Sequence, residues 1–101
     1  MDEMRTLTDN TALNRYEFAL DETGAAGGIA IAAYTERPGV RVITHTEVPA
    51  HLRGRGIGAR MVKAVLDDIR ARGLRVVPRC PFVRDFIRRF PAYGDLLEPS
   101  M

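Results

Sequence analysis

Apolar and polar positions along the chain fall into short alternating runs and two longer stripes of helical period. In NRYEFAL, Tyr16, Phe18 and Leu20 alternate with other side chains, the period of a half-buried strand. GIAIAAYTE, from Gly28 to Glu36, hardly alternates, and its small apolar residues suit a second strand buried on both faces. VRVITHTEV, from Val40 to Val48, gives a third strand. The glycine-rich ETGAAGG and the RPG of Arg37–Gly39 supply turns between them, so these three strands suit an antiparallel meander. Pro49 has no amide to give a ladder and closes the third strand. From Gly56 to Arg72, Ile57, Met61, Val65 and Ile69 recur at helical spacing, with Val62 and Leu66 widening the stripe. Gly73 stands where such a helix stops. LRVVP then reads as a fourth strand. PFVRDFIRRF is opened by Pro81, ended by Pro91, and sets Phe82, Phe86 and Phe90 on one face of a second helix.

The order is therefore β-β-β-α-β-α, and a helical crossover between the third and fourth strands makes those two parallel. At 101 residues, without repeats, linkers or low-complexity tracts, the expectation is one domain spanning 1–101, with residues 1–12 disordered. No apolar run is long enough for a membrane span, and MDEMRTLTDN has no signal-peptide core, so the expected location is cytoplasmic. A lone cysteine, Cys80, makes neither an internal disulfide nor a zinc site, and no metal is expected.

Charge adds a direction to this picture. The net charge is only +2, but all except three of the 15 Lys and Arg residues follow residue 40. That asymmetry fits either an anionic partner for the second half or a solvated basic face. Within it lies LRGRGIGARM, where Arg53, Gly54, Arg55, Gly56 and Gly58 crowd the mouth of the first helix. Such a helix end has unpaired amides and a positive dipole end. Glycines let a bulky anion approach the backbone, so a strand, this loop and an amphipathic helix make a competent pyrophosphate cradle. The loop is no P-loop, since no Gly-Lys-Ser/Thr follows, and a meander is the wrong lead-in for a dinucleotide fold. A plain glycine-rich turn fits the same residues.

RGRGIG resembles the Arg/Gln-x-x-Gly-x-Gly/Ala loop of the GCN5-related N-acetyltransferases (GNAT), with Arg53, Gly56 and Gly58 at the motif positions. More narrowly, the run from His45 to Leu97, with its PRCPFV and FPAY segments, resembles small GNAT-like proteins of the YjdJ type. The resemblance implies an α/β (α+β) chain: a compact GNAT-like fold, an antiparallel meander followed by β-α-β-α with splayed central strands. It also implies acetyl-CoA as cofactor. The amides of Arg53, Gly54, Arg55, Gly56, Ile57 and Gly58 would then hold the pyrophosphate. The pantetheine arm would pair with backbone near Glu47 and Val48, and Cys80 would lie close to it. Arg84 or Arg88 would meet the 3′-phosphate or the adenine.

Larger members of the superfamily carry an Asn and, seven residues on, a Tyr that protonates the leaving thiolate. Here Cys80 and Ile87 occupy those positions, so the usual acid is missing. Two later strands of the acceptor side are absent as well, which implies a shallow, open cleft. Other residues offer chemistry. Cys80, before a helix and beside Arg79, is placed for thiolate character and acyl transfer, or is simply a buried filler. His45 and Glu47, two apart on a strand, share a face unless a bulge intervenes, and either suits a general base. His51 in the loop and Tyr93 in FPAY are further candidates, with exposure and packing as their plainer readings.

The first functional expectation is an acetyl-CoA-dependent N-acetyltransferase acting on an unspecified amine, directly or through Cys80. The second is a non-catalytic CoA or acyl-CoA-binding module. A nucleic-acid binder ranks third, because the sequence lacks an aromatic stacking platform or a recognition helix. A monomer and a homodimer are both compatible with the sequence.

Overall fold

The computed structural model describes residues 7–20 and 28–99. Five strands form one sheet in chain order: β1 (Leu7–Asn10), β2 (Arg15–Leu20), β3 (Gly28–Arg37), β4 (Val40–Glu47) and β5 (Arg75–Pro78). The first four are antiparallel neighbours, and β5 runs parallel to β4 after the crossover helix α1 (Ile57–Ala71). Helix α2 (Pro81–Arg89) and a 3-10 helix (Pro91–Leu96) complete the chain beside β5.

The meander, the crossover and both helices follow the sequence pattern. The Glu22–Gly28 turn lies, except for Gly28, outside the described residues. Two expectations need correction. Leu7–Asn10 are not disordered but form β1, whose partly buried LTDN shows no clear alternation. This strand is held by pairing to β2 and by Asp9, which binds Arg41 of β4 at 2.7 Å. Nor is β3 buried on both faces. Ala30, Ala32 and Tyr34 join the core, whereas Ile29 on the other face is 49% exposed.

One face of the sheet receives α1, which lies over β3, where Ala30 and Ala32 leave room for it. All six stripe residues of α1 and also Ala64 are buried there, against Tyr16, Phe18 and Ile43. Each fully buried aliphatic side chain contributes about 1.5–3 kcal/mol, so this interface is a large contribution to the stability of the domain. Gly73, at φ 71°, ends α1, and Leu74 N–H reaches back to the Ile69 carbonyl at 3.0 Å. In α2, Val83, Phe86 and Ile87 turn inward, while Arg88 and Arg89 sit favourably at its C-terminal end.

A hydrogen-bonded polar cluster closes the sheet at the start of β4. Arg41, 4% exposed, donates to Asp9, to Glu36 and to the Tyr16 hydroxyl. Tyr16 donates to Asp68 of α1 at 2.8 Å, and Tyr34 donates to Asp9 at 2.5 Å. The Arg41 guanidinium also stacks 4.5 Å from the Tyr34 ring centre. Burial alone disfavours its charge, but Asp9, Tyr16 and Glu36 more than restore it and hold the pKa high. Burial, and then the Asp9 carboxylate, push the Tyr34 hydroxyl up to about 12.

Candidate active site

The site grows from an irregularity in β4. Ala33 pairs with His45 but Tyr34 pairs with Ile43, so Thr44 is an extra residue on the β4 side. Its hydroxyl donates to the Ala33 carbonyl at 3.3 Å. A bulge of this kind switches which alternate residues face the core. Before it, Arg41 and Ile43 face α1; after it, Thr46 stands opposite the buried Ala32, and His45 and Glu47 share the other face.

The pairing of β4 with β5 ends at the same place. Ile43 pairs with Pro78, and the amides of Arg79 and Cys80 both reach the Ile43 carbonyl, at 3.0 and 3.1 Å. Beyond that point β4 continues to Glu47 while the chain after β5 turns into α2, leaving the end of β4 without β5 as a neighbour. Cys80 is the residue just before α2, with Pro81 at the first helical position. Its sulfur lies 3.5 Å from the Thr46 hydroxyl across this gap. Burial raises the thiol pKa, but hydrogen bonding from Thr46 and from the Val83 and Phe82 amides outweighs it, and the net shift is downward. Cys80 is 7% exposed.

His45 Nε2 and Glu47 Oε2 lie 3.1 Å apart, both well exposed. The two residues that the sequence sets on one face therefore form a hydrogen-bonded pair. A carboxylate beside an imidazole orients the ring and makes the pair a competent proton acceptor.

The glycine loop completes the opposite wall. Gly54 and Gly56 take φ of 85° and 74°, the left-handed region that favours glycine, and a Cβ at either would meet nothing within 4 Å. Gly56 immediately precedes α1, whose first intrahelical bond is Arg60 N–H to the Gly56 carbonyl at 3.1 Å. The amides of Ile57, Gly58 and Ala59 thus have no partner within the helix. Gly58 contributes differently: a Cβ there would lie 3.0 Å from the Phe82 ring, which would have to shift aside. Arg53 folds back so that its Nε donates to the Val48 carbonyl at 3.3 Å, tying the loop to the end of β4.

These parts enclose a cleft of about 750 Å³. His45, Thr46, Glu47 and Val48 line it from β4; Arg53, Gly54, Gly56, Ile57 and Gly58 line it from the loop and α1. Arg55 is exposed on the same loop. Cys80 does not line the cleft itself; its contact Thr46 does. The α2 wall was not evident from sequence. It consists of Phe82, Asp85, Phe86, Arg89 and Phe90. The phenylalanine stripe is visible in the sequence, but only Phe86 joins the core, at the edge of the opening, whereas Phe82 and Phe90 are 45% and 48% exposed on the cleft.

Other expected contributors lie elsewhere. Arg84 and Arg88 point away from the cleft into a second groove, so Arg89 is the α2 arginine on the cleft. Tyr93 donates its hydroxyl to Asp67 of α1 at 2.8 Å and packs beside Phe86, a structural role. His51 is exposed in the 3-10 turn Ala50–Leu52. Ile87, at the position of the missing tyrosine, is buried. Among the described residues no cluster of His, Cys, Asp and Glu is arranged to hold a metal, and no helix is long and apolar enough to cross a membrane.

The sequence profile described as GCN5-related N-acetyl-transferase matches residues 15–96. Over 68 residues the chain is 37% identical to Protein NATD1 of Bos taurus, and 34% identical to Protein NATD1 of Homo sapiens. Those alignments take in 63% of this chain and 60% of each relative, so the match spans less than two thirds of their length. The NMR solution structure of a GCN5-like protein from Staphylococcus aureus superposes with a TM-score of 0.65, covering 97% of this chain and 91% of that one. At 24% identity that likeness is one of fold.

Proposed function

The chain belongs to the GCN5-related N-acetyltransferase family, and on that footing we propose that it moves an acetyl group from acetyl-CoA to an amine by direct attack. The observation that carries this reading is the convergence on one cleft of an open helix N-terminus, two glycines with free space above them, and the His45–Glu47 pair. The residues present fit the cofactor. The amides of Ile57, Gly58 and Ala59 offer donors to phosphate oxygens, and Arg53 and Arg55 add positive charge. The backbone of Glu47 and Val48, beyond the last pairing with β5, offers hydrogen bonds to an extended amide-bearing arm.

When bound, acetyl-CoA supplies an activated acetyl thioester. The chain's own residues do the rest. The His45–Glu47 pair takes a proton from the acceptor ammonium, freeing the amine lone pair. Thr46 lines the cleft at the gap between β4 and α2 and is held there by its contact with the Cys80 sulfur. Phe82 and Phe90 supply apolar surface along the cleft.

A second reading is favoured by the lowered Cys80 pKa. In it the Cys80 thiolate attacks the acetyl carbonyl, CoA leaves as thiolate, and the amine then displaces Cys80. Its burial argues for direct attack instead. The missing tyrosine supports a third reading, a CoA-binding module without turnover.

The test combines calorimetric titration of acetyl-CoA with a thiol-release assay over a panel of small amines and lysine peptides. Direct transfer predicts that His45→Ala with Glu47→Gln lowers turnover about 10²–10⁴-fold while binding persists, and that Cys80→Ala retains activity. Loss of all turnover in Cys80→Ala would favour the relay. Binding without turnover on any amine would leave the module reading. Absence of acetyl-CoA binding by folded protein would overturn the proposal.

A further inference from the structure

A second groove, of about 720 Å³, lies on the far side of α2 from the cleft, between that helix, β5 and the C-terminal 3-10 helix. Its floor is apolar, with Val77 and Ile87 buried and Leu97 partly so. Its rim carries Arg79, Arg84 and Arg88, contributed by the β5–α2 junction and by α2.

Two of these three arginines have no carboxylate partner among the described residues, as is also true of Arg53, Arg55 and Arg89 around the cleft. Arg15, Arg41, Arg70 and Arg72 are each paired with a carboxylate. Among the described residues Arg79 and Arg84 form no ion pair, and Arg84 instead donates to the Arg79 carbonyl at 3.4 Å, which holds it at the groove. Arg88 shares an exposed pair with Asp85, the kind of interaction that a better carboxylate readily replaces. An apolar floor with guanidiniums at its edge is complementary to carboxylates flanking an apolar side chain. No aromatic side chain lines the groove, so it lacks the stacking platform that single-stranded nucleic acid uses. Pro78 in β5 has no amide to give, which makes side-chain recognition a better fit than strand addition.

We propose that this groove is a docking site for an acidic polypeptide segment of a partner protein, with one apolar residue on the floor and flanking carboxylates on Arg79 and Arg84. The site stands apart from the acetyl-CoA cleft and does not depend on turnover.

The experiment is fluorescence anisotropy with a labelled peptide of Asp and Glu residues around a single Leu. Its Asn/Gln counterpart and a thymidine oligonucleotide serve as controls. The proposal expects the acidic peptide to bind, more weakly at high salt. Arg79→Glu with Arg84→Glu should weaken it more than tenfold, and the matching Lys pair should restore part of the loss. Acetyl-CoA affinity and circular dichroism should be unchanged in both double variants. The proposal is overturned by equal binding of the neutral peptide, by competition with acetyl-CoA, or by an oligonucleotide that binds where the peptide does not. Failure of the folded wild-type protein to bind the acidic peptide overturns it too.

Discussion

The two ends of β4 are built on opposite terms. At its start, Arg41 is buried in a closed set of hydrogen bonds that joins β1, β2, β3 and the C-terminal half of α1. At its end, past the Thr44 bulge, the same strand has lost β5 as a neighbour and presents an exposed pair, a partly buried threonine and a cleft. Helix α1 repeats the contrast: Asp68 and Arg72 near its C-terminus belong to the closed cluster, while Gly58 and Ala59 at its N-terminus line the opening. The closed end spends its polar groups on one another, and the open end keeps them available. Variants at the two ends should therefore separate stability from binding.

The largest expected effect is at the closed end. Arg41→Met leaves the buried Asp9 with only the more distant Arg72, at 3.5 Å, as a cation and should cost about 3 kcal/mol of stability. Chemical denaturation measures this, and acetyl-CoA affinity of the folded fraction should be unchanged. An equal loss of affinity would show that the two ends are coupled.

Tyr34→Phe is milder, about 1–3 kcal/mol, because Asp9 loses one donor but keeps Arg41. It also has a pH signature. The native Tyr34 hydroxyl keeps its proton up to about 12, above the ordinary value of 10.0. Between those values the native state holds a proton that the unfolded chain releases, so stability falls as pH rises through that window and is complete below it. Urea melts at about pH 8 and about pH 11 should show a smaller decline in the Phe variant than in wild type.

The smallest stability effect is expected at the open end. Thr46→Val should cost little in folding, yet it removes a hydrogen bond that favours the Cys80 thiolate. Alkylation of Cys80 followed against pH should shift upward in that variant. An unmoved profile would place the cause of the lowered thiol pKa in the backbone amides of Val83, Phe82 and Thr46.

Much of this architecture is legible in the sequence because it rests on periodicity. The α1 stripe, the Pro81 and Pro91 limits of α2 and the crossover all express one apolar face per element. What escapes is what periodicity does not encode. β1 is held by an ion pair through Asp9 and by backbone pairing, neither of which leaves an apolar pattern in LTDN. The parity switch at Thr44 depends on the partner strand, so no reading of VITHTE alone places Thr46 beside Cys80. Likewise, helical spacing put the phenylalanines on one face without saying that the face was the cleft. It also did not distinguish Arg89 from Arg84 and Arg88.

Acetyl-CoA titration into Ala59→Glu tests the cradle itself. Ala59 is exposed, lines the cleft and lies in the first turn of α1, where a carboxylate favours the helix dipole and preserves the fold. The same carboxylate opposes a pyrophosphate at the open amides. A pyrophosphate cradle predicts undiminished thermal stability with affinity reduced at least tenfold, roughly 1.4 kcal/mol. Wild-type affinity in that variant would contradict it, and the glycine loop would then be a turn rather than a cradle.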